Sequence, residues 1–235
     1  MNALTVTDVS INRGRLPVVN NAHVAVRPGS ISVLLGANGA GKTTFLEGLS
    51  GVIPVASGRI EIEGTRIETA RPGVRSRAGL ALVEQGRTVF RDLTTEENLR
   101  VGLRDNAGLS EAFALFPELV PRRAVRAGLL SGGEQQMLVI ARALLTRPKV
   151  LMIDEMSAGL APVIVGRLMQ TIRKLADEGL AILLVEQFAA LALGVGDHAY
   201  VMRRGSVVYD GDCRTLLEAP DKLHDFYLGS SMAEA

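Results

Sequence analysis

The chain has 235 residues, of which 47% are hydrophobic and 22% are charged. This length suits one large domain or two small ones, and the composition is that of a globular protein with a sizeable core. The 26 basic and 25 acidic residues give a formal charge of +1, which excludes a whole-chain field that would draw it to nucleic acid or an anionic bilayer. One cysteine excludes an internal disulfide framework, and the three scattered histidines have no metal-ligand spacing.

Two features of the sequence favour a cytoplasmic location. The longest apolar stretches, such as residues 180–185 and 189–195, are shorter than the roughly 18 to 20 residues that a membrane span needs. Residues 1–11 alternate apolar and polar side chains and lack a basic segment followed by an apolar block. They therefore predict a β-strand and not a signal peptide.

The start of the chain predicts a small antiparallel layer. Leu4, Val6 and Val9 indicate an edge strand that ends at the turn Arg13-Gly14, and residues 24–26 indicate a second strand. Each strand is short and is followed by glycine in a turn. Two such neighbouring strands pair most simply in the antiparallel sense.

The rest of the chain alternates buried strands with helix-length segments. Ile31–Leu35 is a near-continuous apolar run, which a glycine-rich loop and a helix at residues 42–49 follow. Three further runs have the same character and lie at residues 80–83, 150–153 and 181–185. This alternation predicts an α/β domain with a parallel core.

Residues 94–147 contain no run of strand type and predict an inserted helical subdomain. Thr94 and Glu97 form a capping box for a helix that reaches about Leu103. Ser131 and Glu134 form a second one, which opens a helix over about residues 133–145. No repeat or linker interrupts the chain, so we expect residues 1–235 to form a single domain that carries this insert.

A phosphate-binding loop follows the buried strand Ile31–Leu35. Residues 36–43 read Gly-Ala-Asn-Gly-Ala-Gly-Lys-Thr and match G-x-x-x-x-G-K-[ST] between a strand and a helix. Backbone N–H groups of such a loop surround the phosphates, the lysine reaches the β- and γ-phosphates, and the threonine hydroxyl can bind Mg²⁺. A flexible surface loop is the alternative, and the strand and helix on either side disfavour it. The predicted ATP-binding residues are Gly36, Asn38, Gly39, Ala40, Gly41, Lys42, Thr43 and Thr44.

Two adjacent carboxylates end the strand at residues 150–153. At the carboxyl edge of a parallel sheet, Asp154 would hold Mg²⁺ and Glu155 would orient and polarise the attacking water. An ordinary helix N-cap is the alternative for this Asp-Glu pair. The phosphate loop elsewhere in the chain makes the catalytic interpretation the better one.

Residues 130–136, Leu-Ser-Gly-Gly-Glu-Gln-Gln, separate this chain from other phosphate-loop proteins. Together with the phosphate loop and the Asp-Glu strand, they resemble the signature of ABC transporter ATP-binding subunits, and the resemblance covers nearly the whole chain. The amino-acid sequence of four flanking segments is most similar to that of the second ATPase subunit of branched-chain amino acid importers. These segments are residues 86–90, 93–99, 159–162 and 185–187. The resemblance implies a P-loop ATPase core with an antiparallel β edge layer.

The resemblance also implies an assembly. Two ATPase subunits, identical or different, would dock head to tail, so that ATP lies between the phosphate loop of one and Ser131, Gly132 and Gly133 of the other. The motor would sit at the cytoplasmic face of the membrane on two permease subunits, and an external solute-binding protein would act indirectly. The implied cargo is a branched-chain or related amino acid, with urea, short amides and other organic acids left open.

Three positions deserve comparison with the family pattern. Gln85 matches a glutamine that touches Mg²⁺ and links the site to the permease. Arg13 stands where an aromatic residue usually stacks on adenine, so adenine would meet a guanidinium plane or another partner. Gln187 replaces the usual histidine near the γ-phosphate, and unlike histidine it cannot titrate near neutral pH. Gln85, Glu155 and Gln187 are the candidate catalytic residues.

Two other functions compete with transport. A soluble ABC-type ATPase of DNA repair or of the ribosome usually has two ATPase halves or a long coiled-coil insert, whereas this chain has one phosphate loop. A regulatory subunit that binds nucleotide without hydrolysis is disfavoured by Lys42, Asp154 and Glu155. The regulatory role is mildly favoured by Gln187, by Arg13 and by Ala161. The family has aspartate at the position of Ala161.

Overall fold

The structure is a computed structural model that describes residues 1–103 and 108–228. The strands within these ranges are β1 (Leu4–Arg13), β2 (Leu16–Val26), β3 (Ile31–Leu35), β4 (Val55–Ile62), β5 (Thr65–Arg66), β6 (Leu80–Val83), β7 (Val150–Asp154), β8 (Ala181–Glu186), β9 (His198–Arg203) and β10 (Ser206–Asp212). The helices are α1 (Lys42–Ser50), α2 (Pro72–Ala78), α3 (Thr95–Gly102), α4 (Gly108–Leu115), α5 (Gly132–Leu144), α6 (Pro162–Asp177), α7 (Ala189–Val195), α8 (Cys213–Leu217) and α9 (Pro220–Leu228). Short 3₁₀ helices cover Pro117–Arg122 and Ala127–Leu129.

A six-stranded sheet in the order β10-β9-β3-β8-β7-β6 forms the centre. The five strands from β9 to β6 are parallel, and β10 is antiparallel to β9. Every residue of β3, β7 and β8 is buried, because helices and the second sheet cover both faces. This burial explains the continuous apolar runs and confirms the predicted parallel core.

The predicted antiparallel layer is present as a second sheet in the order β2-β1-β4-β5. Its inner face packs with Phe45 and Leu46 of α1 and with Leu34 and Met152 of the parallel sheet in one apolar cluster. Strand β1 reaches the turn at Arg13 as predicted and is irregular near Asp8, which has a positive φ of 52°. The prediction of an edge strand was wrong, because β1 pairs with β2 on one side and with β4 on the other. Strand β2 is longer than predicted, since its first residues are mostly exposed and show no regular alternation.

The hairpin β9-β10 was not predicted from the sequence. Its connection is the two-residue turn Arg204-Gly205, in which both residues have positive φ, 48° and 83°. Such turns match the twist of a hairpin, and glycine at the second position is a recognisable signal for one. The apolar run at residues 199–202, followed by this Arg-Gly pair, was therefore a readable indication.

Helices α3, α4 and α5 lie within the segment predicted as the helical insert. Both predicted capping boxes form: the Thr94 side chain accepts from Glu97 N and the Ser131 side chain accepts from Glu134 N, with each glutamate bonded back to the cap. Phe116, Leu119 and Leu99 are buried in the same cluster as α5. The division into one domain with an inserted subdomain stays a prediction. No described helix is long and apolar enough to cross a bilayer.

Candidate nucleotide-binding site

The phosphate loop connects the buried strand β3 to α1. Gly39 and Gly41 have φ of 80° and 108°, a region that side-chain-bearing residues rarely adopt, so the glycines of the motif meet a backbone requirement. Gly41 is the N-cap of α1, and its carbonyl accepts from Phe45 N at 2.8 Å. The helix thus begins at Lys42 and directs its free N–H groups and positive end into the loop, as phosphate binding requires.

The Lys42 ammonium is held inside this loop. The side chain is only 5% exposed, and Nζ donates to Gly36 O at 2.8 Å and to Ala37 O at 3.3 Å. It also lies 3.5 Å from Glu155 Oε1. The cation therefore stands between the phosphate loop and the carboxylate that the sequence predicts as catalytic.

Asp154 is the last residue of β7, and Glu155 follows it. Asp154 is 2% exposed, and its Oδ1 is buried without a hydrogen-bond partner among the described residues. Burial raises the pKa of this carboxyl above its ordinary value, although a hydrogen bond from the Thr43 side chain and the Lys42 charge oppose the rise. Glu155 has a positive φ of 44°, and its N–H donates to Val185 O of β8 at 2.9 Å, which sets its direction.

A pocket of about 560 Å³ opens over the phosphate loop. Gln85 reaches it from the segment after β6 and donates from Nε2 to Glu155 Oε2 at 2.7 Å. Gln187 reaches it from the end of β8. The structure therefore brings the three candidate catalytic residues together with the phosphate loop. The pocket is lined by Val18, Asn38, Gly39, Gly41, Lys42, Thr43, Thr44, Gln85, Glu155, Ala158 and Gln187.

Arg13 lies beside the phosphate loop at the end of β1. Its Nε donates to Thr44 Oγ1 at 2.9 Å, and its Nη2 pairs with Glu47. Both partners are on α1, so the guanidinium is bonded to the helix that follows the loop. The placement of Arg13 near adenine stays a prediction, and its bonds to α1 were not predicted from the sequence.

The signature residues stand apart from the Lys42 pocket. Ser131, Gly132 and Gly133 do not line it, and Ser131 caps α5 instead. The glycines have neighbours within the chain, because a Cβ at Gly132 would lie 2.7 Å from Arg87 Nη1 and one at Gly133 would lie 2.9 Å from an Ile164 side-chain carbon. Close packing within the chain therefore leaves little room for a side chain at either position, which is one reason why both residues are glycine.

A buried carboxylate beside the site was not predicted from the sequence. Glu186 is fully buried and accepts from Ser157 N at 3.1 Å and from Ser157 Oγ at 2.6 Å. Burial raises its pKa, and the Ser157 bonds oppose the rise. This pair connects the turn after Glu155 to the end of β8, directly before Gln187. The glutamate that ends the apolar run of β8 was the available signal.

Comparisons with known proteins agree with this geometry. The profile of the ABC transporter family matches residues 19–158. The high-affinity branched-chain amino acid transport ATP-binding protein BraG of Pseudomonas aeruginosa is 42% identical over 96% of the chain and 99% of its own length. The probable branched-chain amino acid transport ATP-binding protein LivF of Archaeoglobus fulgidus is 37% identical over 89% of the chain and 93% of its length.

Solved structures of ABC transporter ATP-binding subunits have the same fold as this chain. A nucleotide-free ATP-binding cassette from an ABC transporter superposes with a TM-score of 0.87 at 24% identity and covers 98% of the chain and 100% of its own length. An ATP-binding subunit of an ABC transporter superposes with a TM-score of 0.83 at 26% identity and covers 94% and 98%. The motifs, the match to the family profile and these likenesses converge: the chain belongs to the ABC transporter family, as an ATP-binding subunit that hydrolyses ATP.

Proposed function

We propose that the chain is the ATP-hydrolysing motor subunit of an importer for branched-chain or related amino acids. The observation that carries the site assignment is the convergence of Lys42, Glu155 and Gln85 over the phosphate loop, with Lys42 Nζ and Gln85 Nε2 on opposite oxygens of one carboxylate. A phosphate loop, a cation and a carboxylate at the carboxyl ends of parallel strands are what phosphoryl transfer to water needs.

The donor set suits Mg²⁺. Asp154 Oδ1 is a buried carboxylate oxygen that has no hydrogen-bond partner among the described residues, and the Thr43 side chain is near enough to lower the pKa of the same carboxyl. Oxygen ligands of this kind are those that Mg²⁺ prefers, and Gln85 can add an amide oxygen. Thr43, Asp154 and Gln85 would hold the ion. When bound, Mg²⁺ would neutralise charge on the phosphate oxygens.

Glu155 is the proposed general base. One of its carboxylate oxygens faces Lys42 and the other accepts from Gln85, so the group is oriented before the substrate arrives. Once Lys42 binds the phosphates, the oxygen that faced it is free to accept a proton from water. Gln187, which lines the same pocket, would bond to the γ-phosphate or that water without taking its proton.

A second ATPase subunit would complete the site. Ser131, Gly132 and Gly133 form the N-terminus of α5 and lie outside the pocket of their own phosphate loop. The positive end of a 13-residue helix is suited to a phosphate, so these residues would serve the nucleotide of the partner. The second ATPase subunit could be identical or different, since either would supply such a helix N-terminus.

A groove on the other side of Gln85 is the proposed permease contact. It has a volume of about 400 Å³ and lies between α2, β6 and the helices of the insert. Its apolar rim is exposed: Val52 by 57%, Phe90 by 48% and Val101 by 58%. Exposed apolar groups around a groove are typical of a protein interface, and a short permease helix fits them. Docking here would place the chain at the cytoplasmic face of the membrane.

The cargo assignment rests on the relatives. BraG and LivF are named for branched-chain amino acid transport. Permease subunits and an external solute-binding protein would select the solute. Urea, short amides and other small solutes are therefore the alternatives that a transport assay must include.

The test is ATP hydrolysis by the chain alone and by the assembly with a second ATPase subunit and permeases. We expect weak activity alone and a several-fold increase in the assembly, and no activity for the assembly with Lys42→Ala, because the phosphates lose their cation. Circular dichroism of Lys42→Ala should show an intact fold. Substantial hydrolysis by the Lys42→Ala assembly would refute the site assignment. Uptake of labelled leucine, urea and acetamide in vesicles decides the cargo.

A further inference from the structure

A carboxylate ends the central strand β8 at a place where no solvent reaches it. Glu186 is fully buried and pairs in register with Leu35, the residue directly before the phosphate loop. Its neighbour Val185 pairs with Asp154 of β7. Burial of a carboxylate costs free energy, and an apolar residue at the end of this apolar strand would avoid that cost. The position of Glu186 between the phosphate loop and Asp154 therefore points to a role in the site.

Ser157 gives Glu186 two hydrogen bonds, one to each carboxylate oxygen. Ser157 N donates to Oε1 at 3.1 Å, and Ser157 Oγ donates to Oε2 at 2.6 Å. Ser157 is only 5% exposed, so water does not compete strongly for these bonds. Attachment at two points fixes the direction of Ser157 as well as its position. The turn that follows Glu155 is thereby fastened to β8.

The backbone of this turn is strained at Glu155. Its φ of 44° lies in the left-handed region, where a residue with a side chain stays only if the surrounding structure holds it. Before the turn, Glu155 N donates to Val185 O at 2.9 Å. After it, Met156 packs in the main apolar cluster, but the packing of a flexible side chain sets no direction. The bonds between Ser157 and Glu186 supply that direction.

This backbone conformation directs the Glu155 side chain. In it, Oε1 lies 3.5 Å from Lys42 Nζ, and Oε2 accepts from Gln85 Nε2 at 2.7 Å. A change to the usual negative φ would alter the direction of the Cα–Cβ bond and turn the carboxylate away from these partners. A base must lie within hydrogen-bond reach of the water that it deprotonates. Loss of the anchor at Ser157 is therefore expected to affect the chemical step.

We propose that Glu186 is a positioning residue for Glu155 and that it acts by holding Ser157. The inference rests on the proposed role of Glu155 as the general base. Neither Glu186 nor Ser157 lines the pocket over the phosphate loop. We therefore expect their effect on the rate of hydrolysis and not on the affinity for ATP.

The first experiment compares two buried serines. Ser157→Ala removes the hydroxyl that bonds to Glu186. Ser32→Ala is the matched control, since Ser32 is 1% exposed and its Oγ donates to Ala25 O at 3.1 Å. In the assembly, Ser157→Ala should slow single-turnover hydrolysis by about tenfold, which is about 1.4 kcal/mol, and keep the Kd for ATP within about twofold. Ser32→Ala should leave both quantities within about twofold of the parent.

The second experiment tests the carboxylate of the pair. Glu186→Ala removes both acceptors and should slow hydrolysis more than Ser157→Ala does. Glu186→Gln should recover most of this loss, because its amide oxygen can accept from Ser157 N while its amide nitrogen donates to Ser157 Oγ. Circular dichroism of both variants checks the fold. If Glu186→Gln were as slow as Glu186→Ala, positioning through these bonds would be refuted.

The third experiment asks whether the pair acts through Glu155. In the Glu155→Gln background, Ser157→Ala should slow hydrolysis by no more than about twofold, because the base that the pair positions is already absent. A purely structural role of the pair would slow hydrolysis equally in both backgrounds. This double-mutant comparison therefore separates positioning of the base from general support of the fold.

The outcomes also separate this inference from the proposed function. If Glu155→Gln hydrolyses ATP at the parent rate, the proposed base assignment fails and the inference fails with it. If Glu155→Gln is slow, equal rates of Ser157→Ala and Ser32→Ala, or an equal effect of Ser157→Ala in both backgrounds, would overturn the role of Glu186 alone. A loss of rate that is confined to the background with Glu155 supports it.

Discussion

Gln85 and Glu155 are 70 positions apart in the chain, yet Gln85 Nε2 donates to Glu155 Oε2 at 2.7 Å. Gln85 follows Leu82, Val83 and Glu84, which line the groove proposed for the permease. A shift of this segment would therefore move the donor that orients the candidate base. This bond is a direct physical link between the groove and the chemistry at the phosphate loop.

Glu155→Gln should keep ATP binding and slow hydrolysis by about 10² to 10⁴, because an amide can hold a water but cannot take its proton. Single-turnover hydrolysis in the assembly is the measurement. Glu178→Gln is the control, since Glu178 is an exposed carboxylate that pairs only loosely with Lys174 at 3.8 Å. Turnover of Glu155→Gln at the parent rate would assign the base to another residue.

Asp154→Asn should stabilise the nucleotide-free chain at neutral pH, with a Tm a few degrees higher. Burial raises the pKa of Asp154, so the folded state binds this proton more tightly than the unfolded state does. The carboxylate therefore lowers the free energy of unfolding as the pH rises from 3.8, the ordinary pKa of aspartate, through the raised pKa of the folded state. The gain in Asp154→Asn should grow over that range and vanish below it.

Thermal unfolding across this pH range tests the prediction, and Asp92→Asn, at an exposed position, is the control. Asp154→Asn should also lose most of the extra stability that Mg²⁺ adds in the presence of ATP, because a neutral amide binds the ion poorly. A Tm difference that does not change with pH would contradict the assignment of the effect to the buried charge.

The base specificity of the site should be low. Arg13 stands where the family resemblance predicts an aromatic residue and is bonded to Thr44 and Glu47, so this position offers a guanidinium and no rigid ring. We expect ATP and GTP to bind within roughly tenfold, about 1.4 kcal/mol. Arg13→Tyr should tighten ATP selectively, and Arg13→Ala separates the loss of the α1 bonds from the gain of a ring. A hundredfold preference of the parent for ATP in calorimetry would refute the argument.

Gln187→His should introduce a titration near pH 6.5 into the rate of the chemical step, because a histidine in the γ-phosphate region changes charge there. Gln187 lines the pocket with Lys42 and Glu155, so the new side chain would face the same space. The pH-rate profile must be measured in the assembly where chemistry limits turnover. An unchanged profile would place Gln187 outside the reacting region, as a polar residue of the turn after β8.

The local motifs and four of the buried parallel strands were determined by the sequence alone. The phosphate loop and both capping boxes are contiguous, so each carries its own steric and hydrogen-bond requirement, such as the positive φ of Gly41. The parallel strands β3, β6, β7 and β8 were readable because burial on both faces demands continuous apolar runs. Strand β10 was missed because it lies at the sheet edge and is only partly buried, so that demand is weaker, whereas β9 lies inside the sheet and its apolar run was a readable signal.

Only the tertiary structure decided which distant side chains meet. The strand order β3-β8-β7-β6 brings Gln85, Glu155 and Gln187 to one edge, places Glu186 under Ser157 and leaves Ser131 outside the pocket. The bonds of Arg13 to α1 and the position of Tyr227 beside the phosphate loop likewise join segments far apart in the chain. Such contacts depend on packing between elements, and no local pattern encodes packing partners that the chain reaches only after it folds.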